Sequence, residues 1–136
     1  MQVGTLIKGF WLEAAGGTLV EYRPGDELLL VFSFHATLSC RHRNRELDPA
    51  VRSMAGWAGV RVWDVVVGGC SDDSFVFAAR HELDGDRVLH DPTGEVAEGL
   101  LHASPLQCWL LLDEEGRVVY HGRDVLGLEE ALGLTP

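Results

Sequence analysis

The residue best suited to chemistry is Cys40, because basic side chains follow it closely in the sequence. Four of them follow it: Arg41, His42, Arg43 and Arg45. The pattern predicts that a helix begins at Cys40, after a buried strand from Leu28 to Phe34. A thiol at a helix N-terminus and near cations loses its proton more readily than a free cysteine. Cys40 is therefore a candidate nucleophilic thiolate; the alternative is that it packs as a small apolar residue.

Two further cysteines, Cys70 and Cys108, complete the set of three. An odd number with wide spacing is not a disulfide framework, and no Cys/His spacing fits a zinc site. We predict neither a metal nor a cofactor. Cys70 follows a predicted strand at 60–67. It is a candidate resolving thiol if its Cα lies within about 7 Å of the Cα of Cys40. The alternative is that Cys70 has no redox role, and Cys108 is predicted to be a core residue.

The strand pattern predicts an α/β fold with a mixed sheet and helices on both of its faces. Apolar runs predict buried strands at 28–34, 60–67 and 106–113. A hairpin turn at 113–116 leads to one more strand, and 18–22 is predicted to be a short edge strand. We predict one domain, with an N-terminal segment at 1–27 and a core at 28–134.

Four helices are predicted beside this sheet. The first runs from about Cys40 to Ala55 and ends at Gly56. The second runs from Ser74 to His81, after a cap at Ser71 or Asp72. It is expected to bury four apolar side chains: Phe75, Val76, Ala78 and Ala79. The third is a small helix from Glu95 to Leu101, and the fourth runs from Val125 to Leu134.

Net charge argues against two classes of partner. The chain of 136 residues has a formal charge of −10, so we expect it to bind neither nucleic acid nor an anionic membrane. Residues 1–8 show no secretory signal, and no apolar run has transmembrane length. We expect the protein to be cytoplasmic.

Three stretches, 37–47, 104–105 and 111–120, resemble the thioredoxin superfamily, in its peroxiredoxin and bacterial thiol-disulfide reductase branches. Thr37 to Cys40 matches the T-x-x-C of peroxiredoxins, and Arg45 to Leu47 matches the R-E-L of the reductases. Ser104-Pro105 stands where the family keeps a cis-proline facing the thiol. Leu111 to Tyr120 resembles the family's L-I-D-x-x-G-R-V-V-Y hairpin. The resemblance covers residues 28–134 and implies a thioredoxin-like fold.

The sequence also departs from the family at informative positions. Arg43 occupies the position of the second cysteine of the reductases' C-x-x-C. A dithiol enzyme resolves its mixed disulfide with that second thiol, so this chain cannot do so locally. Ser33 replaces the proline of the peroxiredoxin pattern. Another register would make Ser39 the nucleophile, but it loses the R-E-L match.

The resemblance implies a peroxiredoxin-like antioxidant oxidoreductase that reduces a peroxide or a protein disulfide. Cys40 would be the nucleophile and Thr37 would bind the peroxide through its hydroxyl. Arg123 or Arg43 would supply a positive charge. An external thiol or a thioredoxin-like reductant would be the partner, and the resemblance is compatible with a homodimer. Two alternatives stay open: a reductase relative acting by mixed disulfide alone, and a redox-inactive binding or accessory module.

Overall fold

The structure is a computed structural model, and it describes residues 3–23, 29–35, 53–68, 71–80, 82–96, 108–122 and 124–133. Seven strands form one sheet. They are β1 (Phe10–Ala14), β2 (Leu19–Tyr22), β3 (Leu29–His35), β4 (Arg61–Val67), β5 (Val88–Asp91), β6 (Cys108–Leu112) and β7 (Val118–Gly122). The described helices are α1 (53–58), α2 (Ser71–Arg80), α3 (Val125–Ala131) and a 3₁₀ turn at Gly85–Arg87.

The sheet is mixed, as the sequence predicts. Its strand order is β2-β1-β5-β4-β3-β6-β7. β3 is parallel to β4 and β4 is parallel to β5, while every other neighbouring pair is antiparallel. Helical residues separate β3 from β4 and β4 from β5, because parallel neighbours need a crossover connection. The predicted central strand and the predicted edge strand are confirmed as β3 and β2.

Alternation along β4 divides the core into two faces. Trp63, Val65 and Val67 point to one face, where they pack with residues of β1, β3, β5 and β6. Val62 and Val66 point to the other face, where the described helices bury their apolar side chains. Residues 63–67 are all buried, because successive side chains point to opposite sides and both sides of the strand are covered. The helix predicted from Glu95 to Leu101 lies mostly outside the described residues.

The N-terminal segment forms a hairpin that belongs to this sheet. β1 pairs with β2 through a turn in which Gly17 has a φ of +93° and donates its N–H to the carbonyl of Ala14. Glycine adopts this left-handed conformation at little cost. The rings of Phe10 and Tyr22 stack with centroids 5.3 Å apart, and both contact Trp63 edge-on. The hairpin therefore shares the core of the central strands.

Residues 4–7 run beside the start of β7. Gly4 and Ile7 donate their N–H groups to the carbonyls of Val118 and Gly116, and Val118 donates to Thr5. Leu6 forms an isolated antiparallel bridge with Arg117. The outer edge of the chain at residues 116–118, where β7 begins, is therefore covered by the chain's own backbone.

The end of α1 differs from the prediction. The helix passes through Gly56 and continues to residue 58. Gly59 has a φ of +70°, and the N–H groups of Gly59 and Val60 donate to Gly56 and Ala55. This pair of bonds is a Schellman motif, in which a left-handed glycine ends the helix. The expectation that Gly56 ends the helix is wrong, because Gly59 is the glycine that adopts the left-handed conformation of the C-terminal cap.

The start and the buried face of α2 also differ from the prediction. The helix begins at Ser71 rather than Ser74, so Ser71 and Asp72 lie in its first turn. Phe75 and Val76 are 61% and 49% exposed, whereas Ala78 is buried as predicted. The buried stripe also includes Ser74, and Ala79 is exposed. Which residues are buried depends on the face of the helix on which they lie, and not on the hydrophobicity of each side chain alone.

No helix in the described part of the chain is both long enough and apolar enough to cross a membrane.

Candidate functional site

Strands β3, β4, β5 and β7 all end at one edge of the sheet, which we call the carboxyl edge. His35 of β3, Val67 of β4 and Asp91 of β5 lie side by side in register there. β7 runs in the same direction as β3, because both are antiparallel to β6, and it ends at Gly122 on this side. Ligands of open α/β sheets bind at this type of edge.

The predicted site residues lie outside the described residues. They are Thr37, Cys40, Arg43, Cys70, Ser104, Pro105 and Arg123. The structure therefore neither tests their side-chain contacts nor tests the proposed cis-proline. It does describe the chain on either side of several of them.

The described flanking residues converge on the carboxyl edge. His35 precedes the segment of Thr37 and Cys40, and Gly68 precedes that of Cys70. Cys108, the first residue of β6, follows the segment of Pro105 and pairs with Ser33 of β3. Gly122 precedes Arg123 on β7. β3 lies next to β4 and β6 and two strands from β7, so the flanks lie within about 5–10 Å across the sheet.

The backbone before Cys70 is fixed by two hydrogen-bonding contacts. Gly68 has a φ of +77° and donates its N–H to the carbonyl of Asp91 at 2.9 Å. Its own carbonyl oxygen lies 3.0 Å from Nε2 of His90, close enough to accept a hydrogen bond from that ring nitrogen. His90 and Asp91 are 8% and 2% exposed, so both faces of β5 are closed off from solvent here.

Tyr120 hydrogen-bonds to the backbone that follows Arg123 and packs against the glycine that precedes it. The phenol oxygen accepts a hydrogen bond from the N–H of Asp124 at 2.7 Å and donates one to the carbonyl of Asp124 at 2.8 Å. A Cβ placed on Gly122 or Gly127 would come within 2.9 or 2.8 Å of the tyrosine side chain. The ring therefore fits against two glycines, one on each side of the turn.

Asp124 connects this turn to α3. Its carboxylate accepts hydrogen bonds from the N–H groups of Leu126 and Gly127, each at 3.2 Å, and so caps the helix. Burial raises the pKa of Tyr120 above its usual value, and the carboxylate of Asp124 raises it too, while the backbone hydrogen bond at Asp124 lowers it. Tyr120 therefore stays a neutral donor and acceptor at neutral pH.

Sequence reasoning missed three described residues near this edge. The sequence pattern assigns His90 no role, yet it is buried with its ring on the Gly68 carbonyl. Asp91 and Tyr120 also hold backbone that borders the predicted site. The period-two pattern of the strands predicts which face each residue occupies, but it does not identify the distant backbone group that each contacts.

Metal ligands do not cluster in the residues that the structure describes. No group of three or more His, Cys, Asp or Glu side chains there is arranged to hold an ion.

The fold is similar to solved structures of thiol-disulfide oxidoreductases. A proposed thiol:disulfide interchange protein, DsbE, from Chlorobium tepidum superposes with a TM-score of 0.74 at 19% identity, over 98% of this chain and 99% of that one. The thioredoxin domain of a thiol-disulfide oxidoreductase from Bacteroides vulgatus has a TM-score of 0.73 at 15% identity, over 98% and 96%. A thiol:disulfide interchange protein from Bacteroides sp. has a TM-score of 0.73 at 15% identity, over 97% and 88%.

No protein-family model matches the sequence, and no curated protein matches it. The likeness extends over nearly the whole chain at low sequence identity, and it agrees with the mixed sheet and the helical crossovers described above. The chain therefore has an α/β, thioredoxin-like fold, the fold of these thiol-disulfide oxidoreductase structures.

Proposed function

We propose that this protein is a thiol-dependent oxidoreductase of the peroxiredoxin-like type, with Cys40 as its single nucleophile. One observation supports the proposal most strongly. Strand order and direction bring the chain beside Thr37, Cys40, Cys70, Pro105 and Arg123 to one edge of a thioredoxin-like sheet. These residues are distant in sequence, and a shared edge is what a common active site requires.

The first chemical step is attack of the Cys40 thiolate on a peroxide oxygen. An S–O bond forms, the O–O bond breaks, and the leaving oxygen takes a proton to give water or an alcohol. Cys40 becomes a sulfenic acid, oxidised by two electrons. Thr37 is assigned to hold the peroxide, and Arg123 or Arg43 to stabilise the charge that develops on the leaving oxygen.

The second step returns the thiol. A thiol from Cys70, or from an external thiol partner, attacks the Cys40 sulfur, and water leaves as the disulfide forms. An external dithiol or thioredoxin-like reductant then supplies two electrons and two protons to restore the thiols. Arg43 stands where a dithiol enzyme has its second cysteine, so the resolving thiol comes from elsewhere.

A thiol-disulfide reductase acting by mixed disulfide alone is the second candidate. The names of the similar structures favour it, since they include thiol:disulfide interchange proteins. In that case Cys40 attacks a protein disulfide, one sulfur of the target leaves as a thiolate, and an external thiol releases the target.

Alkylation and stopped-flow kinetics test these proposals. We expect iodoacetamide at pH 7 to modify Cys40 faster than Cys70 or Cys108, as read by peptide mass spectrometry. We expect the wild-type protein to consume hydrogen peroxide and the Cys40→Ser variant to consume none. Cys108→Ser is the matched control, because it removes a thiol that has no assigned role, and it should keep wild-type rates.

Three outcomes separate the candidates. Fast Cys40 alkylation with no peroxide consumption, but with trapping of a disulfide substrate as a mixed disulfide, favours the reductase. A Cys40 pKa at or above the unperturbed value of about 8.5 excludes both enzyme candidates and favours a redox-inactive module. Peroxide consumption that survives Cys40→Ser contradicts the assignment of the nucleophile.

A further inference from the structure

A cavity lies on the helical face of the sheet, away from the carboxyl edge. Its volume is about 330 Å³, and it is lined by Val62, Asp64, Glu82, Leu83, Asp84 and Arg87. Asp64 pairs in register with Val88, the first residue of β5, whereas Val67 and Asp91 mark the carboxyl edge. Cavities of this size accommodate small organic ligands.

The buried part of this cavity is acidic. Asp64, in the middle of β4, is only 1% exposed, although it lines the cavity. Asp64 already has another interaction within the protein. A carboxylate has about four lone-pair positions, however, so it can accept a further hydrogen bond from a ligand. Because Glu82 and Asp84 also line the cavity, its acidic groups favour a ligand that carries a cationic donor.

The rim of the cavity contains both signs of charge. Glu82, Asp84 and Arg87 are exposed there. Within the described part of the chain, no carboxylate forms an ion pair with the guanidinium of Arg87. Arg87 is therefore available to an anionic group, and a guanidinium binds a carboxylate with two parallel hydrogen bonds.

Glu82, at the rim of the cavity, has a strained backbone conformation. α2 ends in a Schellman motif, in which Glu82 and Leu83 donate their N–H groups to Ala79 and Ala78. Glu82 has a φ of +53° in the position that glycine usually takes. A non-glycine residue in this region is strained, and such strain often accompanies a function.

The other described residues that line the cavity are apolar. Val62 of β4 and Leu83 after α2 are both half-buried and line the same cavity. A ligand that complements the whole cavity thus carries an ammonium, a carboxylate and an apolar group. A simple anion would face three carboxylates, and a simple amine would leave Arg87 without a partner.

We propose that this cavity binds a free α-amino acid with an apolar side chain. Its ammonium group contacts Asp64 and Glu82, its carboxylate contacts Arg87, and its side chain packs on Val62 and Leu83. The site is separate from the Cys40 chemistry and does not depend on it.

Calorimetric titration of the full chain with three related probes tests the proposal. L-leucine carries both charges, L-leucinamide lacks the carboxylate, and N-acetyl-L-leucine lacks the ammonium. We expect L-leucine to bind and each analogue to bind about tenfold more weakly, because each loses hydrogen bonds to a charged group. The methyl NMR signals of Val62 and Leu83 should shift with L-leucine.

Variants assign the two ends of the ligand. Arg87→Gln should weaken L-leucine about tenfold, to the affinity of L-leucinamide, and should leave L-leucinamide unchanged. Asp64→Asn and Glu82→Gln should instead weaken L-leucine and L-leucinamide together. Lys8→Gln is the matched control: it also removes one exposed positive charge, but it lies outside the cavity lining.

Each result decides for or against the site. If Asp64→Asn does not fold, Arg87→Gln and Glu82→Gln still test it, because both side chains are exposed. The proposal is overturned if L-leucine does not bind at millimolar concentration, or if all three probes bind equally. It is also overturned if Arg87→Gln behaves like Lys8→Gln.

Discussion

The ring nitrogen Nε2 of His90 lies 3.0 Å from the carbonyl oxygen of Gly68, two residues before Cys70. The contact joins a buried side chain of β5 to the backbone that leaves β4. Gly68 also donates its N–H to Asp91, so both of its backbone polar groups bind β5. Hydrogen bonds to β5 therefore fix the position of Gly68, from which the chain continues to Cys70.

Replacing His90 should weaken the attachment of Gly68 to β5 and so destabilise the fold. We expect His90→Leu to lower the free energy of unfolding by about 1–2 kcal/mol, because the Gly68 carbonyl loses its side-chain donor. Urea denaturation measures the change. His90→Gln is the control, since its amide can still donate, and it should lose less. Equal losses in the two variants would show that packing, rather than the hydrogen bond, is what His90 contributes.

Arg43→Cys should change the type of redox chemistry. It completes a C-x-x-C motif with Cys40, in which the second thiol can resolve a mixed disulfide locally. We expect the variant to gain catalysis of insulin reduction by dithiothreitol, which the wild type should lack. Arg45→Cys is the control, because it adds a thiol without the C-x-x-C spacing. Equal gains from both variants would contradict a specific dithiol mechanism.

Two glycine-to-alanine changes should have opposite signs. A Cβ on Gly127 would lie 2.8 Å from Cε2 of Tyr120, whose ring is held by two hydrogen bonds to Asp124. Overpacking should outweigh the helix propensity of alanine, so Gly127→Ala should lower stability by about 1–2 kcal/mol. Gly56→Ala in α1 meets nothing within 4 Å and should raise stability by about 0.5–1 kcal/mol. Thermal or urea unfolding measures both changes in stability, and two changes of the same sign would contradict the prediction.

Glu82→Gly should stabilise the protein. Glu82 has a φ of +53° at the end of α2, and glycine adopts this conformation without strain. We expect a gain of about 0.5–1 kcal/mol in urea denaturation. Glu82→Ala keeps the strain and removes the same carboxylate, so it should give no such gain. A matching gain from Glu82→Ala would point to charge rather than backbone strain.

Alkaline pH should destabilise the protein through Tyr120. Its pKa is raised in the folded state, chiefly by burial, so the folded protein holds the phenol proton more tightly than the unfolded chain. This contribution is complete below the unfolded pKa of about 10 and is lost as pH rises through the folded pKa. The free energy of unfolding should fall less steeply above about pH 10 in Tyr120→Phe. An unchanged slope in urea denaturation would contradict this.

The sequence predicts the sheet well because strand signals are local. The β-branched run at β4 and the apolar run at β3 both become central parallel strands. The buried face of α2 is harder to predict, since Phe75 is exposed while Ser74, a small polar residue, is buried. Tertiary packing selects that face, and hydrophobicity alone does not reveal it.

The candidate site is predicted from resemblance, and the described residues support its location rather than its contacts. Strand direction determines that the chain beside Cys40, Cys70 and Arg123 meets at one edge. The supporting contacts of His90 and Tyr120 depend on pairs that are far apart in sequence or on a ring packed against glycines. Single-residue propensities contain no information about such contacts.

The pairing of residues 4–7 with the start of β7 has a consequence for solubility. An open strand edge presents unpaired backbone groups that a second chain can extend into an intermolecular sheet. Here residues 4–7 bind the backbone of Val118 and Gly116, and so block that route at the start of the strand. These N-terminal residues thus protect the protein against aggregation, although they contribute only Ile7 to its buried core.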